Sequence, residues 1–162
     1  CCAPPQMSLT AHRTMRTNKD VTEILDTIEV DQTLQITRYE QRREHMLEQT
    51  FYAISDYTKG VEYFVNVSTQ TCALYGPDEW YPWCFGDQAA PKTQRFVGQN
   101  ATAAFFATDD LSWIFAVVPI GPKTCLPLFD LHANGTASTV REFTRWRLSV
   151  DPTRLQKPSM CH

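Results

Sequence analysis

Apolar and polar residues alternate with a period of two along most of the chain, the signature of half-buried strands. Val21 to Val30 (VTEILDTIEV) and Thr33 to Tyr39 (TLQITRY) carry it, with Asp31-Gln32 as the predicted hairpin turn between them. Phe51 to Tyr57 and Val61 to Val67 flank Thr58-Lys59-Gly60, a three-residue connection with glycine where a positive φ is cheap. Ala101 to Thr108, Ser112 to Ile120, Cys125 to His132 and Ser138 to Val150 resume the pattern. Asp109-Asp110, Gly121-Pro122 and Asn134-Gly135 read as the turns between them. The run from Trp113 to Val118 is apolar on both faces, which predicts a strand covered on both sides.

Two stretches depart from the pattern. The charged patch from Gln41 to Glu48 reads as a loop or a short helical turn. Between Cys72 and Gly98 the segment YGPDEWYPWCFGDQAAPK shows neither period, and its prolines and glycines predict a long ordered loop pinned by Cys84. The tail DPTRLQKPSMCH reads as extended and in need of an anchor, which Cys161 can supply. Eight or nine strands at hairpin spacing predict an all-β fold: antiparallel sheets in a sandwich or half-open barrel. At 162 residues the chain is expected to form one domain over 1–162.

Composition narrows the function classes. A hydrophobic fraction of 43% excludes a disordered chain. A net charge of −3 with interspersed signs gives no footprint for nucleic acid. The longest apolar run, Trp113 to Ile120, is too short for a membrane-crossing helix. The six cysteines, at 1, 2, 72, 84, 125 and 161, form an even set without the close pairs that zinc ribbons and thioredoxin-like sites need. Three of the four asparagines, Asn66, Asn100 and Asn134, open N-x-S/T sequons, where composition alone predicts about 0.6. Glycan acceptors and paired cysteines belong to one oxidising compartment, so the expectation is a secreted, extracellular protein with every cysteine bridged. Six cysteines allow fifteen pairings, and spacing does not choose among them. The opening CCAPPQ, without Met, reads as a mature product trimmed from a precursor.

Candidate chemistry is sparse. The histidines at 12, 45, 132 and 162 are scattered, and no nucleophile elbow, zinc helix or phosphate loop occurs. The chain is therefore expected not to be an enzyme, with a secreted hydrolase as the distant rival. Arg141, Arg145 and Arg147 read as a solvated strand face. Asp109 and Asp110, in a turn, are the candidate calcium ligands, with Asp78-Glu79 the other dense acidic spot. Rings are in surplus. Phe51, Tyr63, Phe64, Phe105, Trp113, Phe115, Phe143 and Trp146, with Phe106 beside them, are more than one sheet face needs. Those eight are the candidate lining of a hydrophobic pocket able to bury an acyl chain.

Four segments resemble one family. CCAPPQ resembles the opening of mature ependymin-related proteins, and YTKGVEYFVNVSTQTC looks like their second landmark. GPKTCLPLF is similar to their mid-chain Cys-x-Pro segment, and VDPTRLQKPSMC to their closing motif. The order and spacing of all four match over essentially the whole chain. The resemblance implies a secreted N-glycosylated protein of two stacked antiparallel sheets, curved around a hydrophobic pocket as in bacterial lipoprotein carriers. It also implies dimerisation, calcium association with no cofactor required, and extracellular matrix, receptor or cell-contact partners. By position it pairs Cys1 with Cys125 and Cys72 with Cys161. The chain departs from the family at the third bridge, where Cys2 and Cys84 are expected to pair instead. The resulting expectation is a secreted glycoprotein that binds a lipid-like ligand. The alternative is an adhesion protein without a ligand cavity.

Overall fold

A computed structural model describes residues 1–43, 51–85, 91–96, 102–108 and 111–162. The Asp109-Asp110 turn, the Asn100 sequon and most of the charged patch at 41–48 lie outside the described residues. The fold is all-β and antiparallel, as the alternation predicts. Its strands are β1 (Gln6–Arg16), β2 (Val21–Asp31), β3 (Ile36–Arg43), β4 (Phe51–Asp56), β5 (Val61–Asn66), β6 (Thr71–Tyr75), β7 (Pro91–Phe96), β8 (Thr102–Ala107), β9 (Trp113–Pro119), β10 (Cys125–Asn134) and β11 (Ala137–Arg147). A 3-10 turn, η1 (Pro152–Leu155), follows. The hydrogen-bonded order is open and ends at β6 and β7.

The chain divides into two compact units. One holds 1–4, 12–23 and 83–144, the other 5–11, 24–82 and 145–162. In the first, the strand order is β11-β10-β9-β8-β7, so the doubly apolar β9 is flanked on both sides. Phe106, Phe115, Val117 and Cys125 form its buried cluster, with Phe85, Ala104 and Trp113 packed against it. In the second, the order is β2-β3-β4-β5-β6, and Ile28, Val30, Ile54 and Val65 are buried.

Several elements differ from the expectation, among them β3, which takes in Gln41 to Arg43 of the charged patch read as a loop or helical turn. β1 forms on an interrupted alternation that does not stand out along the chain. The predicted loop from Cys72 to Gly98 contains β6 and β7, leaving only the proline-rich 76–85 irregular among its described residues. Thr and Tyr at β6 and Thr, Gln and Arg at β7 satisfy a ladder without showing an apolar period. The tail includes η1, with Asp151 capping it by accepting from the Thr153 amide at 2.9 Å.

Three hairpins of the second unit, β2–β3, β4–β5 and β5–β6, share one device, which also corrects two predicted turns. Each connection has four residues: 32–35, 57–60 and 67–70. The last strand residue is Asp or Asn, and its side chain accepts from the turn. Asp31 accepts from the Thr33 and Leu34 amides at 3.0 and 2.9 Å, and Asn66 from those of Ser68 and Thr69 at 3.0 and 3.1 Å. Asp56 accepts from the Lys59 amide at 3.0 Å. The fourth turn residue has positive φ in every case: Gln35 at 54°, Gly60 at 65° and Gln70 at 52°. The acceptor, more than glycine, fixes these turns.

Candidate functional site

Strand alternation sorts the eight candidate pocket rings. Tyr63 and Phe64 are neighbours on β5 and face opposite ways. Phe64 stacks on Phe51, with centroids 5.1 Å apart, in a diagonal ladder that runs from Tyr39 through both to Tyr75. Tyr63 lines a hollow of about 350 Å³ on the other face, with Ile36, Ile54, Leu155, Lys59 and Lys157. Trp146 lies partly buried near the end of β11, in the second unit. Phe105 packs on Phe129 at 5.8 Å. The remaining three converge: Trp113, Phe115 and Phe143 line a cavity of about 150 Å³ in the first unit, together with Trp83, Phe85, Ala116, Pro127, Phe129, Asp130 and Arg141.

That cavity is assembled from both ends of its sequence. Trp113 and Phe115 are alternate residues of β9 and share a face; the Trp113 amide is held by the Thr108 hydroxyl at 3.1 Å. Across β10, Phe115 faces Asp130 and Trp113 faces His132, whose ring stacks on the indole at 5.2 Å. A register shift between Pro127 and Phe129 re-aims β10 there. Asp130 in turn faces Arg141 on β11, two residues before Phe143. Trp83 and Phe85 enter through the N-terminus. The Ala3 amide donates to the Trp83 carbonyl at 2.7 Å, and the Phe85 amide to the Cys1 carbonyl at 2.6 Å. The Cys2–Cys84 disulfide lies between those two bonds, and Cys1–Cys125 ties the same segment to the start of β10. Two crosslinks therefore fix the wall that carries Trp83 and Phe85.

The cavity's polarity is specific. Phe115 and Phe143 are each 5% exposed. Arg141 holds Asp130 in a bidentate pair, Nε to Oδ1 at 2.9 Å and Nη2 to Oδ2 at 2.6 Å, so the wall is charge-neutral. The Trp113 Nε1–H is buried and has no hydrogen-bond partner among the described residues. Such an orphan donor costs about 1–3 kcal/mol of desolvation.

In the second unit the tail is anchored by charge as well as by the Cys72–Cys161 disulfide. Arg154 of η1 pairs with Glu40 and lies 3.2 Å from Glu29, while Arg38 binds Glu40 and stacks over Tyr52 at 3.8 Å. Burial pushes the Glu29 carboxyl above its ordinary range, although Arg154 and Arg38 pull it down. Burial acts the same way on Glu40, but there the hydrogen bond from Arg38 and the charges of Arg38 and Arg154 win, and its carboxyl sits low.

The three disulfides are the two pairings that the resemblance implies and the replacement expected between Cys2 and Cys84; no cysteine is free. Arg141, expected from sequence to be solvated, instead belongs to an ion pair. Counting back from the Asn134-Gly135 turn places it opposite Asp130, so the hairpin held that signal. Trp83 and Phe85 join the lining from either side of Cys84, in the loop whose aromatic residues are expected to pack down; Phe129 joins it without a sequence signal that singles it out. Asn66 and Asn134 both sit at hairpin turns, the first half-buried and the second exposed. Among the described residues, no group of three His, Cys, Asp or Glu side chains is placed to hold a metal ion, and no helix is long and apolar enough to cross a membrane.

No family model and no curated protein matches the chain. Among solved structures, the crystal structure of an uncharacterized conserved protein from Thermus thermophilus is similar. Its TM-score is 0.55 at 12% identity, over 94% of this chain and 86% of that one. Likeness at that identity shows the all-β fold alone.

Proposed function

We propose that this chain is an extracellular, disulfide-bonded, N-glycosylated binding protein of the ependymin-related kind that holds a hydrophobic small molecule without catalysing a reaction on it. The observation that carries this reading is the ring-lined cavity of the first unit. A ring-lined hollow of about 150 Å³ whose one ion pair, Asp130 with Arg141, is internally neutralised offers apolar surface for a small uncharged molecule to bury. Full bridging of six cysteines supports the oxidising compartment. The calcium association belongs to the same proposal and is read by a change in melting temperature between chelated and calcium-loaded protein.

Native mass spectrometry and solvent extraction of protein secreted from eukaryotic cells test the reading, backed by displacement of a fluorescent fatty acid. A bound organic molecule, or saturable probe binding, is the expected result. Secreted protein that carries nothing and binds neither acyl nor aromatic probes refutes it.

One observation favours the homodimer that belongs to the same proposal. β6 ends the strand order, bears no charge, and presents Leu74 at 51% and Tyr75 at 55% exposure, with Tyr75 closing the aromatic ladder. An uncharged strand edge can pair with its own copy without like-charge repulsion. Analytical ultracentrifugation of wild type against Ala73→Lys tests this: a dimer lost in the variant supports it, and a monomeric wild type at tens of micromolar ends it.

A further inference from the structure

The wall that carries Trp83 and Phe85 is joined directly to the N-terminal segment by the Cys2–Cys84 bridge. We propose that this disulfide is a redox switch: a dithiol reductant opens it ahead of the other two bridges, and its opening frees Trp83 and Phe85 from the N-terminus. The inference goes beyond the binding reading above, because it concerns the wall and holds whatever the hollow takes.

Two observations single out this bridge. The first is register. Cys2 and Cys84 face each other in an antiparallel pairing. The Ala3 amide donates to the Trp83 carbonyl and the Phe85 amide to the Cys1 carbonyl, so the hydrogen bonds flank the two cysteines and the pair itself is of the non-hydrogen-bonded kind. Facing Cα atoms at such a position lie nearer than a relaxed disulfide spans, and a bridge held away from its relaxed span is the more reducible. Cys125 and Cys72 face Pro119 and Val65 across their strands instead, so neither of the other bridges joins a facing pair. The second observation is access. Cys125 and Cys161 are 0% and 2% exposed, so each of the other bridges has one cysteine sealed in the interior. Cys2 and Cys84 are both half-buried, and an attacking thiol can approach this bridge from either end.

The chemistry is a thiol–disulfide exchange in two steps. A thiolate of the dithiol attacks one cysteine sulfur, the Cys2–Cys84 bond breaks as a mixed disulfide forms, and the departing sulfur takes a proton. The reductant's second thiolate then attacks the mixed disulfide and releases the other cysteine. Two electrons pass to the protein, and the reductant leaves as its own disulfide. The N-terminus stays in place throughout. Cys1–Cys125 still ties it to β10, the Cys2 amide still donates to the Lys123 carbonyl at 3.0 Å, and the Cys125 amide to the Cys2 carbonyl at 3.0 Å. Residues 83–85 lose their covalent tie to that anchor. The two flanking amide bonds, the N-terminal ammonium on the Phe85 carbonyl at 2.9 Å and the packing of Phe85 on Phe115 at 5.6 Å then hold them. The wall is therefore the partner that yields.

The test exposes the full, oxidised protein to a graded series of dithiothreitol, quenches it with an alkylating agent and maps the labelled cysteines by tandem mass spectrometry. Cys2 and Cys84 are expected to be alkylated at least about tenfold faster than the other four. Hydrogen exchange of the selectively reduced protein, beside the double variant Cys2→Ser with Cys84→Ser, reads the wall. The amides of Ala3 and Phe85 are expected to exchange at least about tenfold faster than in the oxidised protein, while those of β9 and β10 keep their protection. Reduction of either other bridge first, or of all three together, overturns the inference. So does selective reduction that leaves the Ala3 and Phe85 amides as protected as before. The wild-type measurements stand even if the variant does not fold. Failure on either count leaves the binding reading intact, since probe binding is measured on the oxidised protein.

Discussion

Replacing Cys72 and Cys161 together by alanine tests how the second unit is held. The bridge spans 89 residues, and an isolated loop of that length carries about 4.6 kcal/mol of closure entropy at 25 °C. The other two bridges shorten the effective loop, because the unfolded chain can pass from Cys84 to Cys2, on to Cys1, and across to Cys125. Only the segments between Cys72 and Cys84 and between Cys125 and Cys161 then remain, about 50 residues, and the same relation gives about 4 kcal/mol. For a chain of this length, each kcal/mol moves the melting temperature by about 2–4 °C, so the double variant should melt about 8–16 °C lower. Circular dichroism melts of oxidised wild type and variant measure the difference. A drop of less than about 3 °C with the far-ultraviolet spectrum intact would refute the argument. It would mean that the Arg154 ion pairs and the burial of Leu155 hold the tail by themselves.

Further expectations follow from the same geometry. Arg154→Ala leaves Glu29 and Glu40 with Arg38 alone and should cost about 1–3 kcal/mol in denaturant titrations. Glu40, whose folded carboxyl is held low, adds stability that is complete above the ordinary glutamate range and lost as pH falls through its lower folded value. Glu40→Gln should therefore flatten the acid limb of the stability profile below about pH 4.5; an unchanged limb would contradict the assignment. Gly60→Ala places a side chain at φ +65° and should cost about 1 kcal/mol, read as a lower urea midpoint at constant slope. Ser68→Ala and Thr136→Ala remove two sequons while sparing the Asn66 turn bonds. Each should lower the mass of the secreted protein by one glycan, and no change in either variant would show that position unmodified.

The alternation makes β2, β4, β5 and β8 to β11 legible because apolar residues recur at every second position, even where Ile28 to Asp31, Ile54 to Asp56 and Phe115 to Val117 are buried on both faces. β6 and β7 end the strand order, so their sequences are not shaped by burial between two neighbours, and the apolar period fades there. The hairpin turns fall one or two residues from their expected places for a related reason. A carboxylate or amide that accepts two turn bonds sits at the strand end and reads as part of the turn, and Gln35 and Gln70 hold a positive φ that only glycine would have announced.

For the candidate site, the linear chain is enough to establish the class of structure, the expectation that all six cysteines are bridged, and a surplus of rings. A period of two, an even cysteine count and sequon frequency are local properties, written residue by residue. Which rings share a space is not local. It depends on strand register, where a shift of one position turns Tyr63 away from Phe64 and the irregularity between Pro127 and Phe129 re-aims β10. It depends also on loop closures of 82 and 124 residues that bring Trp83 and Phe85 to β9. That Asp130 cancels Arg141 and that Trp113 keeps an unmatched donor emerges with the packed fold, because pairing across strands and loss of solvent arise once distant segments meet.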